Sequence, residues 1–203
     1  DSRIVRLKEI IEPDRIVNAT LQIVDIAGLV RGASKGEGLG NKFLSHIRQV
    51  NAVAHVVRCF EDPNIIHVEG KVDPLNDVKI IQTELILSDL EQTERKIERL
   101  SSRIKTDRNL LEEMSFFERV RDFLGNGNFA CRMKLKDEEI SIINSLNLLT
   151  MKPYLYIANV SEDELIDPGE AQIALNALAA EEGVEVIPVC AKVESELAEM
   201  DEK

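Results

Sequence analysis

Four short apolar runs alternate with segments of helical spacing along this chain. The runs are rich in β-branched residues and end in polar or turn residues, as strands buried on both faces do. They are LQIVDIAG (21–28), AVAHVVRCF (52–60), PYLYIANV (153–160) and VEVIPVCA (184–191). Helical segments lie between them, for example at 38–49 and 168–182. The alternation predicts an α/β fold with a parallel sheet, whose ligands bind beyond the carboxyl ends of the strands.

Residues 73–146 interrupt this alternation with two long apolar stripes. The first follows the four-three spacing of a heptad seam on one long helix. The second comes after the polar turn KTDRN. The first stripe contains Ile86, Leu90, Thr93, Ile97, Leu100 and Ile104, and the second contains Leu110, Met114, Phe117 and Leu124. Together they predict an antiparallel helical hairpin with roughly 25 residues, or about 37 Å, in each helix. Such a hairpin either stabilises the fold or docks a partner, and its length favours a docking arm.

Composition and charge exclude several classes of protein. The 203 residues, 44% of them hydrophobic, suffice for one sizeable core. An apolar run of about 18 residues and a basic-then-apolar leader are both missing, so we expect a cytoplasmic protein without a membrane partner. Three widely spaced cysteines without C-x-x-C spacing indicate reduced thiols rather than disulfides or a zinc site. The net charge of −12 argues against sequence-specific DNA binding, although residues 1–60 carry nine Lys/Arg against six Asp/Glu.

The glycine-rich stretch DIAGLVRGASKGEGLG (25–40) follows the first predicted strand. It does not match a dinucleotide fingerprint, because residues 36–41 read GEGLGN and lack the last glycine of G-x-G-x-x-G. D-x-x-G at a strand end is instead typical of the Walker-B and switch element of P-loop nucleotidases. In that arrangement Asp25 holds Mg²⁺ through water, and the amide of Gly28 meets a terminal phosphate.

Two further strand tails fit the same chemistry. PYLYIANV leads into Asn159-Val160-Ser161-Glu162, and VEVIPVC ends in Cys190-Ala191-Lys192. GTPases place N-K-x-D and S-A-K in this order and at these edges of the sheet. The alternative interpretation is that each tail is a solvated loop, with Asp25 or Asn159 capping a helix.

These motifs together resemble the Obg-like ATPase (YchF) family of TRAFAC P-loop nucleotidases, over essentially the whole chain. The resemblance is carried by Ile23–Asn41, by His55–Glu61, by Asn64–Val68, and by a coiled-coil insertion before N-x-x-E. It implies a G-domain in two parts, residues 1–80 and 146–203, with a helical coiled-coil arm at 81–145. Family members begin with a strand and a G-x-x-x-x-G-K-S/T loop and end with a TGS domain. This sequence contains neither, so we expect it to be inactive alone.

The base-binding residues favour adenine over guanine. A GTPase aspartate accepts two hydrogen bonds from guanine, and this match depends on the position of its carboxylate. Glu162 is one methylene longer, and Val160 replaces the lysine whose stem covers the base in N-K-x-D. The resemblance likewise implies ATP, with Asn159, Val160 and Glu162 around the base and the loop of Cys190, Ala191 and Lys192 behind it.

The hydrolytic step requires a group that Leu29 cannot supply. Ras-like enzymes place glutamine after D-x-x-G to orient the attacking water, and leucine forms no hydrogen bond to water. We expect His67 to fill this role, since imidazole donates or accepts near neutral pH. A potassium ion, a partner's residue or another side chain of this domain is the alternative, and His67 would then be a structural histidine. His46 and His55 are weaker candidates.

The glycines predict a switch segment, because their backbone freedom lets the chain change course when a γ-phosphate is bound or lost. The predicted switch residues are Asp25, Gly28, Leu29, Gly32, Gly36, Gly38 and Gly40. The leading hypothesis is therefore a slow ATPase switch that associates, by resemblance, with the ribosome. A GTPase of the wider Obg class and a non-enzymatic helical scaffold on an inactive nucleotidase fold remain as alternatives.

Overall fold

The structure is a computed structural model that describes residues 2–26, 39–62, 72–104 and 110–200. It contains three strands, β1 (Val53–Arg58), β2 (Tyr154–Asn159) and β3 (Val186–Val189). The helices are α1 (Ser2–Ile11), α2 (Leu39–Gln49), α3 (Pro74–Ile104), α4 (Leu110–Gly125), α5 (Asp137–Asn144), α6 (Glu170–Glu182) and α7 (Ala191–Ala198). Short 3₁₀ turns lie at Ala130–Arg132, Leu149–Met151 and Asp163–Leu165. No helix within these ranges combines the length and apolarity that crossing a bilayer requires.

The three strands form one parallel sheet in the order β1-β2-β3, which confirms the predicted sheet. Val53 lies opposite Tyr154 at the start of the first pairing, and Arg58 lies opposite Asn159 at its end. β3 then pairs with β2 so that Val189 also lies opposite Asn159. All three strands therefore end at one edge of the sheet, with Asn159 at its centre.

Helices α3 and α6 cover one face of the sheet, whereas Val56 of β1 and Ile187 of β3 are 61% and 44% exposed on the other face, so the strands are not buried on both faces as predicted. Val57, Tyr156 and Ala158 pack in one buried cluster with Val78 of α3 and Leu175 of α6. Helix α6 ends at Gly183, which has φ of 69° in the left-handed region that glycine adopts without steric cost. The chain can therefore turn sharply from α6 into β3.

The first predicted strand, at 21–28, does not form over its described residues 21–26. Leu21 and Ile23 are 87% and 86% exposed, so the apolar run is not buried as a central strand would be. A strand is held by backbone hydrogen bonds to a neighbour, and among the described residues the sheet contains only β1, β2 and β3. The prediction was wrong here because strand propensity depends on the surrounding sheet more than on the segment itself.

The apolar stripes of the predicted hairpin are buried on α3 and α4. Leu100, Phe117 and Leu124 belong to one core cluster, and the half-buried Leu90, Ile97 and Met114 pack against it. Lys96 pairs with Glu113 at 2.8 Å, so the later part of α3 lies beside the early part of α4, as expected for two antiparallel helices that follow one another in the chain. They are unequal, however: α3 has 31 residues and α4 has 16, where roughly 25 were expected for each. Whether the pair acts as a docking arm, and where its boundaries lie, stay predictions.

A buried carboxylate, Glu182 at the end of α6, joins α3 to the sheet. Its oxygens accept hydrogen bonds from Gln82 of α3 at 2.8 Å and from Tyr156 of β2 at 2.6 Å. Tyr154 donates at 3.1 Å, and Arg132 forms an ion pair at 3.1 Å. These four donors come from three elements, α3, β2 and the 3₁₀ turn at Ala130–Arg132, so Glu182 ties α3 and α6 to the sheet.

A second buried carboxylate, Asp89 on α3, holds the segment that enters β2. Its side chain is fully buried. It accepts hydrogen bonds from the backbone N–H of Leu149 at 3.0 Å, and from the N–H and hydroxyl of Thr150 at 2.7 and 2.8 Å. Arg48, near the end of α2, lies 3.5 Å from the same carboxylate and donates to Ser88 Oγ at 3.0 Å. Asp89 thereby connects α2, α3 and the start of β2.

Candidate nucleotide site at the carboxyl edge of the sheet

The loops that follow β2 and β3 meet through Asn159. Its side-chain oxygen accepts a hydrogen bond from the backbone N–H of Ala191 at 3.1 Å. Its carbonyl oxygen accepts from the N–H of Cys59 at 2.8 Å, and the N–H of Val160 donates to Val189 at 2.9 Å. The ends of all three strands are thus joined around Asn159, and the two loops predicted to contact a base lie side by side.

The six predicted base-site residues divide by burial. Glu162, Ala191 and Lys192 are exposed at the rim, where a ligand can reach them. Val160 and Cys190 are 2% and 4% exposed, and Val160 packs in the cluster beneath the sheet edge. The side chain of Val160 therefore packs into the core under the loop after β2, whereas the side chain of Asn159 joins this loop to the one after β3.

Glu164 is a residue of this edge that no predicted motif included. Its Oε2 accepts hydrogen bonds from both the N–H and the hydroxyl of Ser161, at 2.9 and 2.7 Å. Burial, helped by the charge of Glu164, raises the pKa of the Cys59 thiol to about 11. The spacing Ser161-x-x-Glu164 is a capping-box pattern, and that signal was sufficient to find the pair.

Asp25, the predicted Mg²⁺ ligand, is an exposed carboxylate in the irregular segment after α1. In the ranges that the structure describes, no three His, Cys, Asp or Glu side chains are grouped closely enough to hold a metal ion between them. The structure does not test the predicted role of Asp25. One carboxylate is enough for a site of the predicted kind, because Mg²⁺ keeps several waters and takes its other ligands from substrate phosphates.

Several predicted catalytic and switch residues lie outside the described residues, and the structure does not test them. Gly40 is an exception, because it lies within the described residues, in the first turn of α2. The residues outside are Gly28, Leu29, Gly32, Gly36, Gly38 and His67.

The two weaker histidine candidates have different surroundings. His46 is exposed on α2, and His55 is half-buried on β1 with its ring 5.7 Å from that of Tyr156. Burial lowers the pKa of His55 from 6.5 to about 4, and the nearby charge of Glu182 only partly opposes this shift. His55 is therefore neutral in the folded protein at pH 7, and its half-buried ring packs beside Tyr156 of the neighbouring strand.

Replacing His55 with phenylalanine should remove part of the protein's loss of stability in acid. Because the folded pKa of about 4 lies below the unfolded value of 6.5, His55 costs no stability above pH 6.5. Below pH 6.5 the unfolded chain binds a proton at His55 that the folded chain does not, so His55 destabilises the fold increasingly as the pH falls from 6.5 to 4. With allowance for the partly accessible ring, the free energy of unfolding of wild type should fall by about 2 kcal/mol more than that of His55→Phe between pH 7.5 and 4.5. Urea unfolding at several pH values measures the difference. His46→Phe is the control, and identical pH profiles for wild type and His55→Phe would contradict the assignment.

Comparison with known proteins agrees with this geometry. Residues 7–105 match the family described as 50S ribosome-binding GTPase. Over the whole chain the sequence is 49% identical to the ribosome-binding ATPase YchF of Haemophilus influenzae, and over 99% of it 48% identical to that of Bacillus subtilis. It spans 56% of each of those relatives. The structure of the Schizosaccharomyces pombe YchF GTPase superposes on all of this chain and 56% of its own, with a TM-score of 0.82 and 39% identity. The chain belongs to the YchF family and has the fold of the P-loop GTPases.

Proposed function

We propose that the full-length protein is a switch that binds ATP, hydrolyses it slowly to ADP and associates with the ribosome. The observation that carries this proposal is the hydrogen bond from Ala191 to Asn159, which joins the N-x-x-E loop to the C-A-K loop. In P-loop nucleotidases of this kind the same edge receives the base. The names of the bacterial relatives, ribosome-binding ATPases, support both the nucleotide and the partner.

The described residues favour adenine. Val160 is buried under the loop, so no lysine stem covers the base plane from that position. Glu162 is exposed at the end of the loop and carries its carboxylate one methylene farther out than an aspartate would. Guanine recognition relies on a carboxylate at one fixed distance from two N–H donors, so this loop loses the match that makes GTPases selective.

Magnesium is the metal that P-loop nucleotidases generally use, and the exposed carboxylate of Asp25 suits it. Asp25 would hold the ion through water, and the ion would neutralise charge on the β- and γ-phosphates. The residues of this chain then have two tasks: the loops around Asn159 hold the base, and the segment after Asp25 responds to the γ-phosphate. We propose His67 as the group that orients the attacking water, with K⁺ as the alternative.

In the full-length protein, ATP should bind about tenfold or more tightly than GTP. Shortening the loop carboxylate with Glu162→Asp should narrow this preference severalfold, because it restores the aspartate that guanine requires. Val160→Lys is avoided, since it would place an ammonium group where the side chain is buried. Calorimetric titration with both nucleotides, with and without Mg²⁺, measures the preference.

Asp163→Glu is the matched control, because it makes the reverse change of one methylene at the adjacent exposed carboxylate. It should leave the preference unaltered. Tighter GTP binding by wild type would contradict the ATP proposal and favour the GTPase alternative, in line with the name GTPase that the Schizosaccharomyces pombe protein carries. Binding of neither nucleotide by full-length protein would favour the scaffold alternative.

A further inference from the structure

Glu164 is hydrogen-bonded to the loop after β2 that is predicted to contact the base. One of its carboxylate oxygens, Oε2, receives both hydrogen-bond donors of Ser161, at 2.9 Å from the N–H and 2.7 Å from the hydroxyl. Ser161 lies between Val160 and Glu162 in the N-x-x-E motif. Glu164 therefore holds the one residue of the motif that lies between the sheet and Glu162.

The rest of the loop is held by the sheet. Asn159 is bonded to Cys59 and Ala191, and Val160 to Val189. Beyond Val160 the sheet gives no further support, and the 3₁₀ turn Asp163–Leu165 begins directly after Glu162. The clamp formed by the hydrogen bonds between Ser161 and Glu164 spans this gap, and the carbonyl oxygen of Glu162 itself accepts from the N–H of Leu165 at 3.3 Å.

The other carboxylate oxygen of Glu164 lies against the backbone of Gly169. A Cβ built on Gly169 would overlap Oε1 of Glu164, and the three nearest atoms to that Cβ all belong to the Glu164 side chain. Gly169 has φ of −70° and ψ of 166°, which any residue adopts, so a larger residue here would be limited by the Glu164 side chain and not by backbone conformation. Gly169 also caps the N-terminus of α6, whose positive end favours a carboxylate.

We propose that Glu164 is a positioning residue for base selection: by clamping Ser161 it sets the position of Glu162 and so determines the preference between nucleotides. The proposal rests on the proposed function, because it takes the loop of Asn159 and Glu162 as the base site. A capping pair that only stabilised the turn would affect folding but not the choice of base.

The test uses full-length protein and compares binding of ATP, GTP and inorganic tripolyphosphate, each with Mg²⁺. Glu164→Ala removes the clamp and should weaken ATP binding about tenfold, bring the ratio of ATP to GTP affinity closer to one, and leave tripolyphosphate affinity unchanged. Glu164→Gln should behave like wild type, because an amide oxygen can still accept both donors of Ser161. Asp163→Ala, which removes an exposed carboxylate from the same turn, is the matched control.

Gly169→Ala tests the same clamp without changing Glu164. The added methyl group displaces the end of a flexible side chain, which costs the fold little, and should lower the ATP preference in the same direction as Glu164→Ala. It keeps the proposal testable if Glu164→Ala does not fold. Unchanged ATP and GTP affinities in both variants would overturn the proposal, and so would equal losses for ATP and tripolyphosphate.

Failure of the proposed function gives a different result. If wild type prefers GTP, the ATP proposal is wrong, but loss of that preference in Glu164→Ala and Gly169→Ala still supports Glu164 as a positioning residue. If wild type prefers ATP and both variants keep the preference, the ATP proposal stands and the role of Glu164 is refuted.

Discussion

Replacing Asp89 with alanine is expected to lower the free energy of unfolding by about 3–5 kcal/mol, because it removes the fully buried acceptor of three hydrogen bonds and the partner of the partly exposed Arg48. The substitution leaves the N–H groups of Leu149 and Thr150 and the Thr150 hydroxyl without their acceptor, and Arg48 without its carboxylate. Unsatisfied buried donors each cost about 1–3 kcal/mol. The thermal midpoint of the chain should therefore fall by about 10 °C or more.

Two further substitutions separate the causes of this loss. Asp89→Asn keeps one acceptor oxygen and should cost less than Asp89→Ala. Glu91→Ala, two residues farther along α3, removes an exposed carboxylate that pairs with the equally exposed Arg95 and should change stability by about 0.5 kcal/mol or less. Melting curves and urea unfolding measure all three. Equal midpoints for Asp89→Ala and Glu91→Ala would show that the buried network contributes nothing.

Replacing His67 with alanine is expected to lower kcat for ATP hydrolysis roughly 100-fold, the usual scale for a positioned acid–base or orienting group. ATP affinity should change little, because the histidine acts on the water and not on the nucleotide. The expectation follows from Leu29, which cannot hydrogen-bond a water. Leu29→Ala should matter less for the same reason.

Single-turnover hydrolysis by full-length protein measures this effect. It is run with potassium and with sodium, for wild type, His67→Ala and the control His46→Ala, whose histidine is exposed on α2. If a cation positions the water, His67→Ala is nearly silent and turnover responds to potassium. If a partner supplies the group, turnover responds to added ribosomes. In either case His67 has a structural role.

The spacing of apolar residues predicted an element correctly where the same apolar side chains make the contacts that hold it. β2 was predicted at 153–160 and forms at Tyr154–Asn159, because a strand at the centre of a sheet is apolar on both faces. The heptad spacing of α3 likewise marked the face that is buried against α4. In both cases the side chains that form the pattern are the ones that make the contacts.

The spacing of apolar residues did not predict the structure of segments that depend on contacts with another element. Residues 21–26 have the same apolar character as β2, but no strand pairs with them in the described sheet, and Ile23 is 86% exposed. Between α4 and β2, residues up to 145 were predicted as part of the arm and residues from 146 as part of the second half of the G-domain, without any helix or turn assigned to them. These residues form two 3₁₀ turns and α5, and Asp89 of α3 supplies the hydrogen-bond acceptor for Leu149 and Thr150. Short elements of this kind are stabilised by contacts from distant residues.

The sequence by itself determined the residues of the candidate site. It showed which strands carry Asn159, Glu162 and Ala191 at their ends and in which order, and that the loop lacks the lysine of a GTPase. Those properties reside in residue type and spacing, which can be read locally. Only the tertiary structure decided that Asn159 bonds to Ala191, 32 residues away, and that Val160 turns into the core. It also placed Glu164 between Ser161 and Gly169. These facts depend on how two loops and a helix approach one another, and that approach is set by the packing of β2 between β1 and β3.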